Sequence, residues 1–326
     1  MTELAVSVES WPIRGSFAIS RGAKSEAHVV LVELESGGFR GRGECVPYAR
    51  YGESCDSVIE QIESIRQDIQ QGIDRVELQQ KLPPGAARNA VDCAFWDLQG
   101  KLSQLRVWEL LGLPEVRPLI TAYTLSLDSP ERMYKAALEN ADRPLLKIKL
   151  SGEGDIDRVL GIRKGAPEAR LVVDANEGWD QSIYRQMVPE LVRLGVEMIE
   201  QPLPAAEDEA LQSLERPIPV CADESCHGSE SLKQIIGRYD MVNIKLDKTG
   251  GLTEALQLRE VAESAGLKVM VGCMLGTSLA MAPATLLAQS AAIVDLDGPL
   301  LLERDRQPGL NFDRSLVFPP QRELWG

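Results

Sequence analysis

The sequence is short of the features that mark several large protein classes, beginning with positive charge. Its 35 Lys and Arg residues face 49 Asp and Glu residues, a formal net charge of −14. Nucleic acids and anionic membranes are bound by basic surfaces, so neither is an expected partner. No apolar run reaches the roughly 18 residues of a spanning helix, and residues 1–12 do not resemble a signal peptide. We therefore expect a soluble, cytoplasmic protein that acts on a small molecule.

Cysteine and histidine are also sparse. Six cysteines in 326 residues include no Cys-x-x-Cys pair, so no dense disulfide framework is expected. Cys221, Cys226 and His227 lack a fourth ligand and the usual spacing of a zinc site. What remains is a chain with 44% hydrophobic residues, long enough for a barrel of ~250 residues and a smaller domain.

Six strand-like segments between residues 145 and 275 carry a charged residue or a cysteine near their close, at intervals of 22 to 28 residues. This interval is the length of one strand, one helix and two short loops, the repeat of a β/α barrel. In such a barrel the C-terminal ends of all strands converge on one mouth. The segments are LLKIKL with Lys147 and Lys149, LVVDAN with Asp174, EMIEQP with Glu200, VCADES with Asp223, MVNIKLD with Lys245, and VMVGCM with Cys273.

The predicted fold class is α/β: a modified TIM (β/α) barrel with an N-terminal α+β capping domain. The capping domain is predicted over residues 1–115, the barrel over 116–298, and a tail that returns to the capping domain over 299–326. Local patterns predict the following elements: strands over residues 3–9 and 27–35, helices over 54–71 and 85–103, and first and last barrel strands over 119–125 and 291–298.

Three carboxylates, Asp174, Glu200 and Asp223, follow successive predicted strands. Held close together, they would repel one another and take up protons unless a cation neutralised them. Oxygen ligands suit Mg²⁺, and Mn²⁺ is an alternative. The competing interpretation, that each carboxylate caps a helix or pairs with a surface cation, weakens when it must hold for three strands in a row.

Lys147 and Lys149 lie two residues apart on one strand, so both side chains point to the same face, here the barrel interior. Lys245 would lie across the pocket. A lysine is a base only when neutral, and we expect a neighbouring ammonium and a metal cation to lower its pKa. Two opposed lysines could remove a proton from one face of a carbon acid and return it to the other. The alternative is that these are solvated surface lysines.

Asp295 and Asp297 form a second pair on one face, on the last predicted strand. Partly buried carboxylates that bind no metal need some other positive partner, so this pair could hold a cationic group of the substrate. Equally, an Asp just before Gly298 and Pro299 is an ordinary turn residue.

Together these motifs resemble the enolase superfamily, specifically its muconate cycloisomerase subgroup. The resemblance lies in a Lys-x-Lys on the second strand, Asp, Glu and Asp on the next three, and a Lys on the sixth, and it extends over nearly the whole chain. The pair Asp295 and Asp297 is similar to the Asp-x-Asp of the dipeptide epimerases. The segments RYGES, GAARNA, CADESCH and NIKLDKTGGLTEA are most similar to those of the members that act on L-Ala-D/L-Glu.

The resemblance implies a Mg²⁺-dependent isomerase that epimerises a dipeptide by 1,1-proton transfer through an enediolate. The metal ligands would be Asp174, Glu200 and Asp223. The two acid/base groups would be Lys149 and Lys245. Lys147 would assist at the substrate carboxylate. A role in recycling murein peptides is also implied.

For substrate binding, the resemblance implies that Asp297, beside Asp295, holds the dipeptide ammonium. Loops around Lys24 and Tyr51 would close over the side chain. The members specific for Ala-Glu carry an arginine at the position of Lys24, and lysine keeps the charge but loses the bidentate fork. Arg21 is a nearby substitute, and for either residue a solvated loop charge is the alternative.

Two other functions remain open from the sequence. An o-succinylbenzoate synthase or muconate cycloisomerase would use the same lysines and metal on a substrate without an ammonium group, so a substitution at Asp297 would discriminate. A catalytically silent, metal-binding barrel would have no need of two opposed lysines. The sugar-acid dehydratases of the superfamily carry a histidine on the seventh strand, which this chain lacks. The sequence leaves the range of dipeptides and the oligomeric state open, a homo-oligomer among the alternatives.

Overall fold

A computed structural model describes residues 1–114 and 116–326 of the chain. The N-terminal part opens with a three-stranded antiparallel sheet in the order β1-β2-β3. The strands predicted over 3–9 and 27–35 are confirmed as parts of longer ones. The register of β1 against β2 shifts between Pro12 and Phe17, where Gly15 has a φ of 74°. The three strands are β1 (Glu3–Ile19), β2 (Gly22–Ser36) and β3 (Phe39–Cys45).

Helices follow the sheet and cover it. The helix predicted over 54–71 is wrong in one respect, because it breaks at Ile65, which has a φ of −106° and a ψ of 9°. Ile65, at the break, and Ile69, after it, are both buried in the core. The helix predicted over 85–103 is confirmed, and it lies so close to β3 that a Cβ at Gly43 would overlap its backbone. The helices are α1 (Cys55–Ser64), α2 (Arg66–Gln71), α3 (Arg75–Lys81), α4 (Ala86–Ser103) and α5 (Val107–Leu110).

The rest of the chain forms an eight-stranded parallel sheet in sequential order, with helices packed outside it. The sheet curls until its edges meet, where the N–H of Ala122 donates to the carbonyl of Val294 at 2.8 Å. The predicted barrel fold is therefore confirmed. Its elements are β4 (Leu119–Ile120), β5 (Tyr123–Leu125), α6 (Pro130–Glu139), β6 (Leu145–Lys149), α7 (Asp155–Gly165), β7 (Arg170–Asp174), α8 (Gln181–Arg193), β8 (Val196–Glu200), β9 (Val220–Ala222), α9 (Leu232–Ile235), β10 (Met241–Ile244), α10 (Leu246–Thr249), α11 (Leu252–Ser264), β11 (Lys268–Val271), α12 (Ser278–Leu287), β12 (Ile293–Val294) and α13 (Gly298–Leu301).

The first and last predicted barrel strands need correction. Of residues 119–125, only β5 joins the barrel. β4 instead pairs with the tail strand β14 (Leu316–Val317), which in turn pairs with β13 (Phe312–Asp313). The last barrel strand, β12, has two residues, so Asp295 and Asp297 lie in the segment that follows it.

The barrel interior is layered along the strands. At one level a ring of apolar side chains takes one residue from each strand or its immediate start. Because side chains alternate between the faces of a strand, the next inward positions of β6 are Lys147 and Lys149. The apolar ring thus forms a floor beneath the charged residues. Its members are Ala122, Leu145, Val172, Met198, Cys221, Met241, Met270 and Ile293.

Hydrogen bonds tie the N-terminal part to the barrel, and they tie the tail to the N-terminal part. Asn89 on α4 donates to Asp247 on α10 at 2.9 Å, and the N–H of Val46 donates to the same carboxylate at 3.0 Å. From the tail, the indole N–H of Trp325 donates to the carbonyl of Cys93 at 3.0 Å. In the part of the chain that the structure describes, no helix is both long and apolar enough to cross a membrane.

Candidate active site

The charged residues predicted to share one site do come together at the C-terminal ends of the strands. Lys149, Asp174 and Glu200 lie side by side in register across β6, β7 and β8. Asp223 and Lys245 each lie one residue beyond β9 and β10. All five side chains are buried. The interpretation of the lysines as solvated surface residues is therefore wrong.

These strand ends open into a cavity of about 880 Å³, here called the mouth cavity. Asp174 and Glu200 are fully buried and are held by lysines that line it. The rest of the predicted site residues line it directly, together with Cys273. They are Arg21, Lys24, Tyr51, Lys147, Lys149, Asp223, Lys245, Asp295 and Asp297.

Lys147 is the central cation of this cluster. Its Nζ lies 2.6 Å from Glu200 Oε2, 2.7 Å from Asp295 Oδ2 and 3.2 Å from Asp174 Oδ2. Burial alone would lower the pKa of Lys147, but the three carboxylates raise it well above its ordinary value. The ammonium of Lys147 is therefore held in its charged form.

Each of the other two lysines is paired with a carboxylate of its own. Lys149 donates to Asp174 at 2.6 Å and Lys245 donates to Asp223 at 2.6 Å. Burial opposes ionisation of Asp174, but Lys149 and Lys147 hold its pKa well below the usual range. Burial would also lower the pKa of Lys245, but Asp223 and Glu200 raise it well above its ordinary value. For Lys147 and Lys245 this direction is opposite to the one predicted, because carboxylates lie nearer than any cation.

The carboxylates fit a metal ion by their chemistry. Burial, followed by the charge of Asp174, raises the pKa of Glu200 to about 7. Glu200 Oε2 lies near Lys147 Nζ but outside hydrogen-bond geometry, so among the described residues it has no hydrogen-bond donor. A bound cation would lower the pKa of Glu200 and would give Glu200 Oε2 a partner. Lys147 is shared by three of these carboxylates, Asp174, Glu200 and Asp295, so a further cation would suit their charge.

In this structure the carboxylate oxygens point towards the lysine ammonium groups. Among the described residues, no three acidic, histidine or cysteine side chains are arranged around a common point that could hold a metal. Asp174, Glu200 and Asp223 nevertheless offer only oxygen donors from three successive strands, the ligand type that Mg²⁺ and Mn²⁺ prefer. Binding would require these carboxylates to exchange ammonium partners for the ion.

The backbone is strained directly after two of these carboxylates. Asn176 and Glu177 have φ values of 45° and 65°, and Gln201, which follows Glu200, has a φ of 34°. Left-handed conformations are costly for residues with a Cβ and persist where the surroundings enforce them, often at functional sites. The carbonyl of Asn176 accepts hydrogen bonds from Ser20 at 3.0 Å and from Arg21 at 2.9 Å, so this strained loop also anchors the N-terminal part.

Asp297 differs from its neighbours in having no cationic partner among the described residues. Its Oδ2 accepts the backbone N–H of Thr124 at 2.6 Å. Burial, followed by the charge of Asp295, raises the pKa of Asp297 to about 7. Asp295, by contrast, is paired with Lys147. Asp297 is therefore the carboxylate of the pair that is available for a positive group of a ligand.

The capping loops present three cations to the mouth cavity, and two of them are already paired. Arg21 lies 2.7 Å from Glu224 and 3.3 Å from Glu177, and Arg50 lies 2.9 Å from Glu177. Lys24 lies over the ring of Tyr48 at 5.4 Å and pairs with no carboxylate in the described structure. Of the two cations predicted to meet the substrate side chain, Lys24 is thus the one left available.

Sequence reasoning missed one buried lysine. Lys248 donates to Asp223 Oδ1 and to the carbonyl of Asp223, both at 2.6 Å, and to the carbonyl of Asn243 at 2.9 Å. It therefore fixes the carboxylate that also contacts Lys245. The signal was present, because Lys245 and Lys248 are three residues apart and so lie on one side of a helical turn. Sequence reasoning also missed Asn243, which donates to Glu200 at 2.7 Å.

Comparisons with known proteins agree with this geometry. A model of the mandelate racemase / muconate lactonizing enzyme N-terminal domain matches residues 1–112, and an enolase C-terminal domain-like model matches residues 132–312. The L-Ala-D/L-Glu epimerase of Escherichia coli (strain K12) is 48% identical over 96% of this chain and 98% of its own. The N-acetyl-D-glutamate racemase of a Pseudoalteromonas species is 46% identical over 91% of this chain and 95% of its own.

Solved structures extend the similarity to three dimensions. An enolase family member from Agrobacterium tumefaciens, described as homologous to dipeptide epimerases and bound to sodium and L-Ala-L-Glu, is 51% identical. It aligns over 100% of both chains with a TM-score of 0.98. A dipeptide epimerase from Enterococcus faecalis V583, complexed with Mg and L-Leu-L-Tyr, is 29% identical and aligns over 98% and 97% of the two chains with a TM-score of 0.90.

Proposed function

Because the chain belongs to the mandelate racemase / muconate lactonizing enzyme family of the enolase superfamily, we propose that it is a Mg²⁺-dependent dipeptide epimerase acting on L-Ala-D/L-Glu. The observation that carries the proposal is the pair of buried lysines, Lys149 and Lys245. Three strands separate them in the sheet, yet both line the mouth cavity. A substrate between them presents one face to each, the arrangement that proton removal and return on opposite faces requires.

The carboxylates at the ends of β7, β8 and β9 have a different role from the lysines. Asp174, Glu200 and Asp223 would hold the metal. When bound, Mg²⁺ neutralises the negative charge that develops on the substrate carboxylate as the α-proton leaves. Lys147, which also pairs with Asp295 at 2.7 Å, would add a second positive group at that carboxylate.

Asp297 would bind the ammonium of the dipeptide, because it is a buried carboxylate without a cationic partner in the described structure. This separates the proposal from its nearest alternatives. The substrates of an o-succinylbenzoate synthase, a muconate cycloisomerase or an N-acylglutamate racemase carry no ammonium group at this point. A buried, unpaired carboxylate would oppose their binding, since they offer nothing to compensate its desolvation.

The pKa of Asp297 predicts a pH dependence that belongs to ammonium-bearing substrates. Below about pH 7 the carboxyl of Asp297 is protonated and loses its charge, so kcat/KM for L-Ala-L-Glu should fall, by up to about tenfold per pH unit. The pKa of Glu200 lies in the same range, but protonation of Glu200 should change kcat/KM for every substrate alike. The ratio of kcat/KM for L-Ala-L-Glu to that for N-acetyl-L-glutamate, measured from about pH 5.5 to 7 in roughly half-unit steps, isolates Asp297, because the α-amino group of the dipeptide deprotonates only at about pH 7.7–8.0. Asp297→Asn should remove the pH dependence of this ratio, and a ratio that is flat in the unaltered protein would contradict the assignment.

Lys24 would bind the side-chain carboxylate of the substrate's glutamate. We expect Lys24→Met to lower kcat/KM for L-Ala-L-Glu by about two- to fivefold, because a partly exposed ion pair contributes up to about 1 kcal/mol, with little effect on kcat/KM for L-Ala-L-Gln. Lys24→Arg, the matched control, should keep or improve the preference for glutamate because its planar group can bind the carboxylate with two hydrogen bonds. Equal losses for both dipeptides in Lys24→Met would remove Lys24 from the side-chain subsite.

Proton NMR in D₂O tests the proposed function directly. L-Ala-L-Glu, incubated with the protein and Mg²⁺, should take up deuterium at the glutamate α-position and form the D-epimer. N-acetyl-D-glutamate, incubated in parallel, should react much more slowly. Faster exchange of the N-acetyl compound would instead indicate that the protein is a racemase of N-acyl amino acids. If neither compound exchanges, cycloisomerase and succinylbenzoate-type substrates should be tested next.

We also propose a cytoplasmic location. The acidic composition of the chain is consistent with it. A role in recycling murein peptides and the oligomeric state stay predictions. The murein role follows only from the resemblance to the dipeptide epimerases, and the oligomeric state is left open by the sequence, with a homo-oligomer among the alternatives.

A further inference from the structure

A second, smaller cavity lies directly behind one wall of the mouth cavity. This side cavity has a volume of about 230 Å³ and is lined by residues of β1, β5 and α6 together with the end of α13. Four residues line both cavities and so form the wall between them. Three of the four are apolar. The wall consists of Ile13, Phe17, Thr124 and Leu301.

The wall stands next to the proposed ammonium site. Thr124 belongs to the wall, and its backbone N–H donates to Asp297 Oδ2 at 2.6 Å. In a dipeptide, the N-terminal side chain is attached to the same carbon as the ammonium. A dipeptide held at Asp297 therefore directs its first side chain into the neighbourhood of this wall.

Phe17 is the largest side chain of the wall. It lies where β1 regains its register after the shift that begins at Pro12, and its pairing partner across the hairpin is Lys24. Lys149 Nζ lies 5.9 Å from the centre of its ring. Phe17 therefore stands between the reacting groups and the side cavity.

We propose that Phe17 limits the N-terminal residue of the substrate to a small side chain by separating the mouth cavity from the side cavity. This inference rests on the proposed function, since it assumes a dipeptide held at Asp297. An engineered apolar cavity of about 150 Å³ suffices to bind benzene. The side cavity is larger, so it has room for a leucine side chain once the wall is opened. Its lining combines polar side chains, such as Arg132 and Glu139, with the apolar side chains of Met133, Ala136 and Leu300.

The test compares L-Leu-L-Glu with L-Ala-L-Glu, using kcat/KM in the presence of Mg²⁺. Phe17→Ala should raise the ratio of kcat/KM for L-Leu-L-Glu to kcat/KM for L-Ala-L-Glu by about tenfold or more. The reason is that a pocket that gains or loses room for a methylene group changes specificity by roughly 10- to 200-fold. Leu301→Ala opens the same wall from α13 and should shift the ratio in the same direction. Leu275→Ala is the matched control, because Leu275 is also half-buried and lines the mouth cavity but not the side cavity.

The outcomes separate the two proposals. If the unaltered protein does not epimerise L-Ala-L-Glu, the proposed function fails. If it does, and neither Phe17→Ala nor Leu301→Ala raises the ratio above that of Leu275→Ala, the assignment of Phe17 is overturned. Thermal unfolding of each variant checks that it folds. If Phe17→Ala does not fold, Phe17→Leu and Leu301→Ala decide by the same criterion.

Discussion

Replacing Lys245 with alanine should abolish epimerisation while leaving one of the two epimers able to exchange its α-proton with solvent. The expectation follows from the placement of Lys149 and Lys245 on strands separated by three others around one cavity. Each lysine reaches one face of the substrate, so either can remove the proton of the epimer that presents its proton to that face. Inversion needs both. Positioned acid/base groups contribute about 10²- to 10⁴-fold, so kcat for epimerisation should fall at least about 10³-fold.

The measurement uses L-Ala-L-Glu and L-Ala-D-Glu as separate substrates in D₂O, with proton NMR of the glutamate α-position. Lys245→Ala and Lys149→Ala should retain exchange with opposite epimers. Lys233→Ala, which removes an exposed lysine of α9, is the control and should behave like the unaltered protein. Retention of exchange with the same epimer in both variants would show that the two lysines do not flank the substrate.

Removing the metal should cause the second large loss of turnover, and removing one of its ligands should cause a large loss of metal affinity. Chelation by EDTA should abolish turnover, and added Mg²⁺ should restore it. Glu200→Gln should lower the affinity for Mg²⁺ by at least about 100-fold, more than the roughly 10- to 100-fold loss typical of a residue that only supports a ligand. The reason is that Glu200 combines a raised pKa, about 7, with a buried oxygen that lacks a hydrogen-bond donor among the described residues.

Isothermal titration calorimetry with Mg²⁺, or with Mn²⁺ as a second probe, measures this affinity without substrate. Glu197→Gln is the matched control, because Glu197 lies on the same strand but is exposed and pairs with Arg170. We expect it to bind metal as the unaltered protein does. Full turnover after exhaustive chelation, or unchanged affinity in Glu200→Gln, would remove the metal role of Glu200.

The barrel fold and the location of its site could both be predicted from the sequence. The period of one β/α unit is long and regular, and it places residues such as Asp174, Glu200 and Asp223 at equivalent points of successive units. The strand-end geometry then follows from the fold, without knowledge of any individual contact. The same logic placed Lys149 and Lys245 in one cavity, as the structure has them.

Features that depend on packing between distant segments were not accessible in this way. The break at Ile65 lies inside a regular helical period, and no local signal in the sequence marks it. The pKa direction of Lys147 depends on which of several carboxylates its ammonium reaches, and the sequence carries no distances. Likewise, nothing local indicates that Phe17 separates two cavities, because Thr124 and Leu301, which complete the wall, come from β5 and α13.

The lysines and carboxylates to which we assign the chemistry come from the barrel, whereas Phe17 and Lys24, to which we assign side-chain selection, come from the N-terminal strands, more than a hundred residues away in the chain. This division makes the molecule readily evolvable. Substitutions in the segment that selects the side chain can accumulate without disturbing the proton-transfer machinery, because the two share a cavity but no element of secondary structure. Directed evolution for new dipeptides should therefore find most of its productive mutations in β1, β2 and the turn that joins them.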